Sequence, residues 1–132
     1  RTADAAGVSG VVVQTRRSAL HAGTVAKTSA GALPHVRVGE DVNIARAIED
    51  LKELGVWSVG LAGEADQAYD EVDLTGPIAL VMGAEGPGLR RLVREKCDFL
   101  VSIPMSGHVG SLNVSVAAGV ALFEAVRQRR RG

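Results

Sequence analysis

The chain has few aromatic residues, one cysteine and no net charge, and each scarcity excludes a class of protein. Aromatic residues make up 3% of its 132 residues against 46% hydrophobic residues, so the core must consist of Val, Leu, Ile and Ala. Fifteen basic and fifteen acidic residues balance, which leaves no global field to attract nucleic acid, although local clusters remain possible. Cys97 alone cannot form an internal disulfide and fits a reducing cytosol, so we expect a cytoplasmic location.

Long apolar runs and metal-binding spacings are also missing. No run reaches membrane-spanning length, and no signal peptide is recognisable. The histidines His21, His35 and His108 are far apart in the sequence, and with a single cysteine no zinc-binding pattern can be formed. We therefore predict neither a membrane association nor a bound metal.

Short apolar runs alternate with amphipathic segments along the chain. This alternation predicts one α/β domain spanning residues 1–132, with a mostly parallel sheet flanked by helices. Asp41 is a candidate cap for a helix that ends near Leu54, and Gly63–Thr75 is interpreted as a polar surface excursion. The predicted strands are Val8–Val13, His35–Val38, Val56–Leu61, Ile78–Met82 and Phe99–Ile103, and the predicted later helices are Leu89–Lys96 and Asn113–Arg130.

The chain opens with Arg1-Thr2-Ala3, in a segment with helical character. Parallel α/β domains usually begin with a strand. We therefore expect that a first strand preceding Arg1 is missing from this sequence.

The segment Gly83–Gly88 (GAEGPG) lies between a predicted strand and a predicted helix. It has neither the order of a dinucleotide fingerprint nor the Gly-Lys-Ser/Thr of a phosphate loop. Glycines here would let the backbone approach a ligand and read an adenine edge without charge. A tight strand-to-helix turn explains them equally well, and Glu85 is either a helix N-terminal residue or an acceptor that orients a reacting group.

The loop Pro104–Gly110 leads to Ser111 and Asn113, which open the long helix. Either residue can cap that helix, and the same hydroxyl and amide groups could also face the cleft of Glu85. The helix itself has a stripe rich in alanine, which suits core packing or a subunit interface. Two basic groups, Arg16-Arg17 with Lys27 and Arg90-Arg91-Arg94 with Lys96, are either solvated faces or phosphate contacts.

Three blocks together resemble the SPOUT-class RNA ribose 2′-O-methyltransferases of the SpoU/TrmH family. Arg1-Thr2-Ala3 is similar to the end of the family's first motif, although the asparagine before it is absent. Leu80–Gly88 resembles the second motif, and Ile103-Pro104-Met105 through Ser111-Leu112-Asn113-Val114 resembles the third. The segments around Arg16-Arg17 and Lys27 are most similar to the branch that methylates a guanosine of large-subunit (23S) ribosomal RNA.

The resemblance implies a C-terminal trefoil knot, which the general rarity of knots would not suggest. It also implies an obligate homodimer, bound S-adenosylmethionine and an RNA substrate. Arg1, Glu85, Ser111 and Asn113 match catalytic and RNA-facing positions, and Arg16, Arg17 and Lys27 are the candidate RNA contacts. The implied cofactor site comprises Met82, Gly83, Glu85, Gly86, Gly88, Ile103, Met105, Ser111 and Leu112.

Three alternatives remain at this point. The chain could methylate transfer RNA, it could be a non-catalytic RNA-binding dimerisation module of the same fold, or it could be a generic nucleotide-binding α/β enzyme. The first-motif asparagine and the N-terminal RNA-binding domain of many relatives are both absent from this sequence, so the activity of this stretch alone is a separate question from its family.

Overall fold

The computed structural model describes residues 6–7, 10–14, 37–41, 43–83, 88–110 and 112–131. These residues belong to two compact units, residues 1–44 and residues 45–132.

The first unit contains a parallel pair of strands. Strand β1 (Gly10–Gln14) pairs with β2 (Arg37–Asp41), with Gly10 opposite Arg37 and Gln14 opposite Asp41. Both strands were predicted, each displaced by about two residues. The prediction that Asp41 caps a helix was wrong, because Asp41 is the last residue of β2 and the next helix begins only at Ile44.

The second unit is built on a three-stranded parallel sheet in the order β4-β3-β5. Trp57 lies opposite Ile78, and Val59 lies opposite Phe99. Parallel strands place all their carboxyl ends at one edge, so the three following loops gather there. The elements are α1 (Ile44–Glu53), β3 (Trp57–Leu61), β4 (Ile78–Val81), α2 (Arg91–Lys96), β5 (Phe99–Val101) and α3 (Val114–Arg131).

A buried apolar cluster joins one face of this sheet to α3. Val59 of β3 and Val101 of β5, each 1% exposed, pack with Ala125 of α3. Val72 and Leu74 complete the cluster. The interpretation of Gly63–Thr75 as a surface excursion was therefore wrong at its end, because these two apolar residues turn inward.

The end of that excursion is fastened to α3 by polar side chains. Gln128 Oε1 accepts a hydrogen bond from the Leu74 N–H at 2.7 Å, and its Nε2 donates to the Val72 carbonyl at 3.1 Å. The same Nε2 donates to Glu124 at 2.8 Å, and Arg127 donates to both Glu124 carboxylate oxygens at 2.8 Å. A buried carboxylate is thus fully partnered, which burial requires.

The expectation of an α/β fold with a parallel sheet and flanking helices is confirmed. The C-terminal knot stays a prediction. Within the described residues, no helix combines the length and apolar content that a membrane crossing needs.

Candidate active site

A cleft of about 490 Å³ opens where the β3, β4 and β5 loops meet the start of α3. This size falls in the range of small-molecule sites, roughly 300–1,000 Å³. Its lining residues come from the loops after β3, β4 and β5, from the start of α3, and from Arg94 of α2. The lining residues are Leu61–Glu64, Met82, Gly83, Gly88, Leu89, Arg94, Ser102–Met105, Gly110, Leu112, Val114 and Ala117.

Gly83 leaves the least room for a side chain among the described glycines that line the cleft. A Cβ atom placed on it would overlap the backbone carbonyl carbon of Gly88 and the amide nitrogen of Leu89, and would lie 2.6 Å from the Gly88 carbonyl oxygen. Gly88 itself has φ +71°, a conformation that favours glycine. The backbone at Gly83 therefore approaches the backbone at Gly88 and Leu89 closely, which a side chain on Gly83 would prevent.

The opposite wall is formed by the entry into α3. Asn113 Oδ1 accepts a hydrogen bond from the Val116 N–H at 2.8 Å, which is the geometry of an N-cap. The prediction of a cap at Ser111 or Asn113 is thus confirmed for Asn113. Leu112 and Val114 beside it are each 38% exposed and line the cleft.

Charge in the cleft is confined to one ion pair. Among the described lining residues only Glu64 and Arg94 carry charged side chains, and Arg94 Nη1 pairs with Glu64 Oε1. Arg91 pairs with Glu95 at 3.7 Å and Lys96 with Glu49 at 3.2 Å. Much of the predicted second basic group is therefore neutralised locally rather than left open to phosphate.

At the other edge of the sheet, hydrogen bonds join β3 to the start of β5. Asp98 Oδ2 accepts from the Ser58 N–H at 2.8 Å and from the Ser58 hydroxyl at 3.1 Å. The Ser58 backbone hydrogen bond, with a contribution from Lys52 at 3.4 Å, lowers the pKa of Asp98. Burial, and secondarily Asp98, raises the pKa of Cys97 to about 11, so this thiol is a neutral packing group.

The cleft suits an organic ligand of modest charge. Most of its lining residues are apolar or glycine, and its two charged side chains, Glu64 and Arg94, pair with each other. The described residues contain no group of three His, Cys, Asp or Glu side chains that could hold a metal ion. Such a site can bind a nucleoside-like molecule through hydrogen bonds and apolar contact.

The sequence profile of the SpoU rRNA Methylase family matches residues 1–123. The chain belongs to the SpoU family. Family membership agrees with the glycine segment after β4 and the capped loop before α3, which are two of the three blocks that carried the resemblance.

Relatives in the family have assigned activities. The 23S rRNA (guanosine-2′-O-)-methyltransferase RlmB of Pseudomonas putida is 55% identical over 130 residues, which cover 98% of this chain and 52% of the relative. The enzyme of the same name from Shewanella oneidensis is 58% identical, again over 98% of this chain and 53% of the relative. The chain thus spans about half the length of these curated relatives.

A solved SpoU structure superposes closely. The SpoU methyltransferase AviRb from Streptomyces viridochromogenes, crystallised in complex with the cofactor AdoMet, has a TM-score of 0.88 and 32% identity, covering 99% of this chain and 54% of AviRb.

The structure brings many of the predicted site residues together at the cleft. Asn113 lies between two lining residues, Leu112 and Val114. The predicted residues that line the cleft are Met82, Gly83, Gly88, Ile103, Met105 and Leu112. Those outside the described residues are Arg1, Arg16, Arg17, Lys27, Glu85, Gly86 and Ser111.

Sequence reasoning missed the wall that follows β3. Leu61–Glu64 lines the cleft, yet this stretch has no motif of its own. The available signal was its place at the carboxyl end of a strand in a parallel sheet, where ligands bind. Arg94 was interpreted as part of either a solvated face or a phosphate contact, and its pairing with Glu64 could not be inferred from composition.

Proposed function

We propose that residues 1–132 are the catalytic domain of an S-adenosylmethionine-dependent RNA methyltransferase, and that the enzyme methylates the ribose 2′-hydroxyl of a guanosine in 23S ribosomal RNA. The single observation that carries the proposal is the cleft between the Gly83 turn and the Asn113 cap, in a chain of this family. The names of the RlmB relatives support the ribosomal substrate. The chain covers about half the length of these relatives, so the activity is proposed for the protein of which these residues are the catalytic part.

The residues present fit S-adenosylmethionine. Met82, Gly83 and the segment Ile103–Met105 would hold the nucleoside part, and Leu112 would give apolar contact. The bound cofactor would supply the methyl group together with its own leaving group. The AdoMet complex of AviRb supports this choice of ligand.

The remaining task of the protein is to position and deprotonate the ribose hydroxyl. Arg1 would hold the RNA phosphate and stabilise the developing alkoxide, because its guanidinium makes paired hydrogen bonds to phosphate. An arginine is a poor base, since its pKa exceeds about 12. Glu85 and Asn113 would orient Arg1 and the ribose, and Ser111 would lie beside them. The RNA backbone would be bound by Arg16, Arg17 and Lys27.

Two structural features belong to the same proposal. The chain would form a trefoil knot at its C-terminal end and assemble as a homodimer. The exposed apolar residues of α3 support the dimer: Val116 is 48% and Phe123 47% exposed. Sedimentation of the full-length protein at micromolar concentration should give a dimer, and a monomer would contradict this part of the proposal.

The proposed function is tested by comparing two glycine-to-alanine variants of the full-length protein. Gly83→Ala places a methyl group against backbone, whereas a Cβ on Gly76 meets nothing within 4 Å. Gly76→Ala is therefore the matched control. Titration calorimetry with S-adenosylmethionine should show binding to wild type and Gly76→Ala, and at least about tenfold weaker binding to Gly83→Ala, the effect of about 1.4 kcal/mol of strain.

The class of RNA substrate is determined by measuring methyl transfer to RNA fragments of known sequence. Wild-type protein should transfer a labelled methyl group to a 23S ribosomal RNA fragment and give a ribose resistant to alkaline cleavage at one guanosine. Methylation of transfer RNA without methylation of the 23S fragment would identify transfer RNA as the substrate instead. Binding of RNA without binding of S-adenosylmethionine would show a non-catalytic module and refute the proposal.

A further inference from the structure

The cleft contains an ion pair that none of the family motifs includes. Glu64 lies in the loop after the central strand β3, and Arg94 lies on α2, which follows the neighbouring strand β4. Both residues line the cleft. Their side chains are 57% and 37% exposed, so the pair sits at the mouth rather than in the core.

We propose that Glu64 and Arg94 are positioning residues that hold the loop after β3 against α2 and so set the width of the cleft before a ligand enters. The inference rests on the proposed function in that S-adenosylmethionine is the ligand. Pre-organising a wall lowers the ordering cost at binding, which raises affinity without adding a contact to the ligand.

Backbone hydrogen bonds hold this loop at its start, at Ala62, and again at Gln67–Tyr69, where it pairs with Ser102, and its tip at Gly63 and Glu64 lies between them. Its turn is closed by the Ala65 N–H, which donates to the Ala62 carbonyl at 3.0 Å, and the Ala62 N–H donates to the Val101 carbonyl at 2.9 Å. Gly63 between them is exposed and has no side chain to pack. Among the described residues, the ion pair of Glu64 with Arg94 is therefore the contact that joins the tip of this loop to α2.

The chain offers a matched control on the same helix. Lys96 of α2 pairs with Glu49 of α1 at 3.2 Å, and their side chains are 42% and 56% exposed, close to the values for Arg94 and Glu64. Neither control residue lines the cleft. A general effect of losing a surface ion pair would appear in both pairs, whereas a positioning effect would appear only at Glu64 and Arg94.

The test measures S-adenosylmethionine binding by the full-length protein in low salt. Glu64→Gln and Arg94→Gln should each weaken binding about two- to fivefold, the range that an exposed ion pair supplies, with faster dissociation in stopped flow. The exchanged double variant Glu64→Arg/Arg94→Glu should recover much of the loss, and Glu49→Gln should match wild type. Equal affinity of wild type and both Gln variants, or an equal loss in Glu49→Gln, would overturn the inference.

A measurement without ligand separates this inference from the proposed function. Hydrogen exchange at the Ala65 amide should be faster in Glu64→Gln than in wild type and unchanged in Glu49→Gln. Unchanged exchange in Glu64→Gln would overturn the inference even if the protein binds S-adenosylmethionine. If wild type fails to bind the cofactor but Glu64→Gln speeds exchange, the positioning role stands and the proposed function fails.

Discussion

We predict that the hydrogen bonds of Gln128 stabilise the packing of α3 against the core. Its side chain accepts from the Leu74 N–H at 2.7 Å and donates to the Val72 carbonyl at 3.1 Å. Leu74 is 1% exposed and Val72 7% exposed, so water cannot readily replace these partners. Gln128→Ala leaves the Leu74 donor unsatisfied, which costs about 1–3 kcal/mol. We expect a loss of that size in the free energy of unfolding.

The assay is urea unfolding of the full-length protein, followed by the fluorescence of Trp57, the single tryptophan of these 132 residues. Arg130→Ala on the same turn of α3 is the control, because Arg130 is exposed, and surface changes of this kind stay within about 0.5 kcal/mol. A Gln128→Ala loss no larger than that of Arg130→Ala would refute the reasoning.

A second substitution tests the direction of the hydrogen bonds. Gln128→Glu keeps an acceptor for the Leu74 N–H but replaces the donor that lies 2.8 Å from Glu124 with a carboxylate. Two carboxylates at that distance repel, so this variant should be at least as unstable as Gln128→Ala at neutral pH. Its stability relative to wild type should recover as the pH falls and the introduced carboxyl takes up a proton.

Three further predictions follow from single residues. In the full-length protein, Arg1→Ala should lower the rate of methyl transfer by about two or more orders of magnitude while leaving cofactor affinity unchanged. Arg1→Lys should restore little of that rate. Equal losses of rate and of cofactor affinity would show that Arg1 has a structural role instead. Alkylation of Cys97 at pH 8 should be about a hundredfold slower than in the unfolded chain, because its pKa is raised to about 11; equal rates would contradict its burial. Hydrogen bonding from Arg127 lowers the pKa of Glu124 from its ordinary value of 4.5 to about 2. The stability that this carboxylate contributes is therefore present above pH 4.5 and is lost as the pH falls towards 2. In urea unfolding at several pH values, Glu124→Gln should reduce that dependence of stability on pH.

The parts of the site that could be predicted are local in sequence. The strand–glycine–helix order around Gly83 and the Asn113 cap each depend on residues within a few positions of one another. The alternation of strands and helices likewise predicted the parallel sheet. Local chemistry was enough in these places because backbone conformation was the constraint.

The parts that could not be predicted depend on distant partners. Val72 and Leu74 lie in a polar, acidic stretch, yet they pack against Val59, Val101 and Ala125. Gln128 satisfies their backbone groups from more than fifty positions along the chain, and its hydrogen bond from Leu74 spans 54 positions. Arg94 resembled a phosphate ligand until its partner Glu64 was located. A pattern of residue types contains no information on which distant side chain will meet a given donor.

The ion pairs also constrain where RNA affinity can originate. Lys52, Arg91, Arg94, Lys96 and Arg127 each pair with a carboxylate. A paired cation already has a local counter-charge, so contact with phosphate gains less from releasing counterions. If the protein binds ribosomal RNA, the salt-dependent part of that affinity should therefore come from other cations, such as Arg16, Arg17 and Lys27. Cofactor binding in the cleft should depend on salt only as far as salt screens the Glu64–Arg94 pair, which is about two- to fivefold.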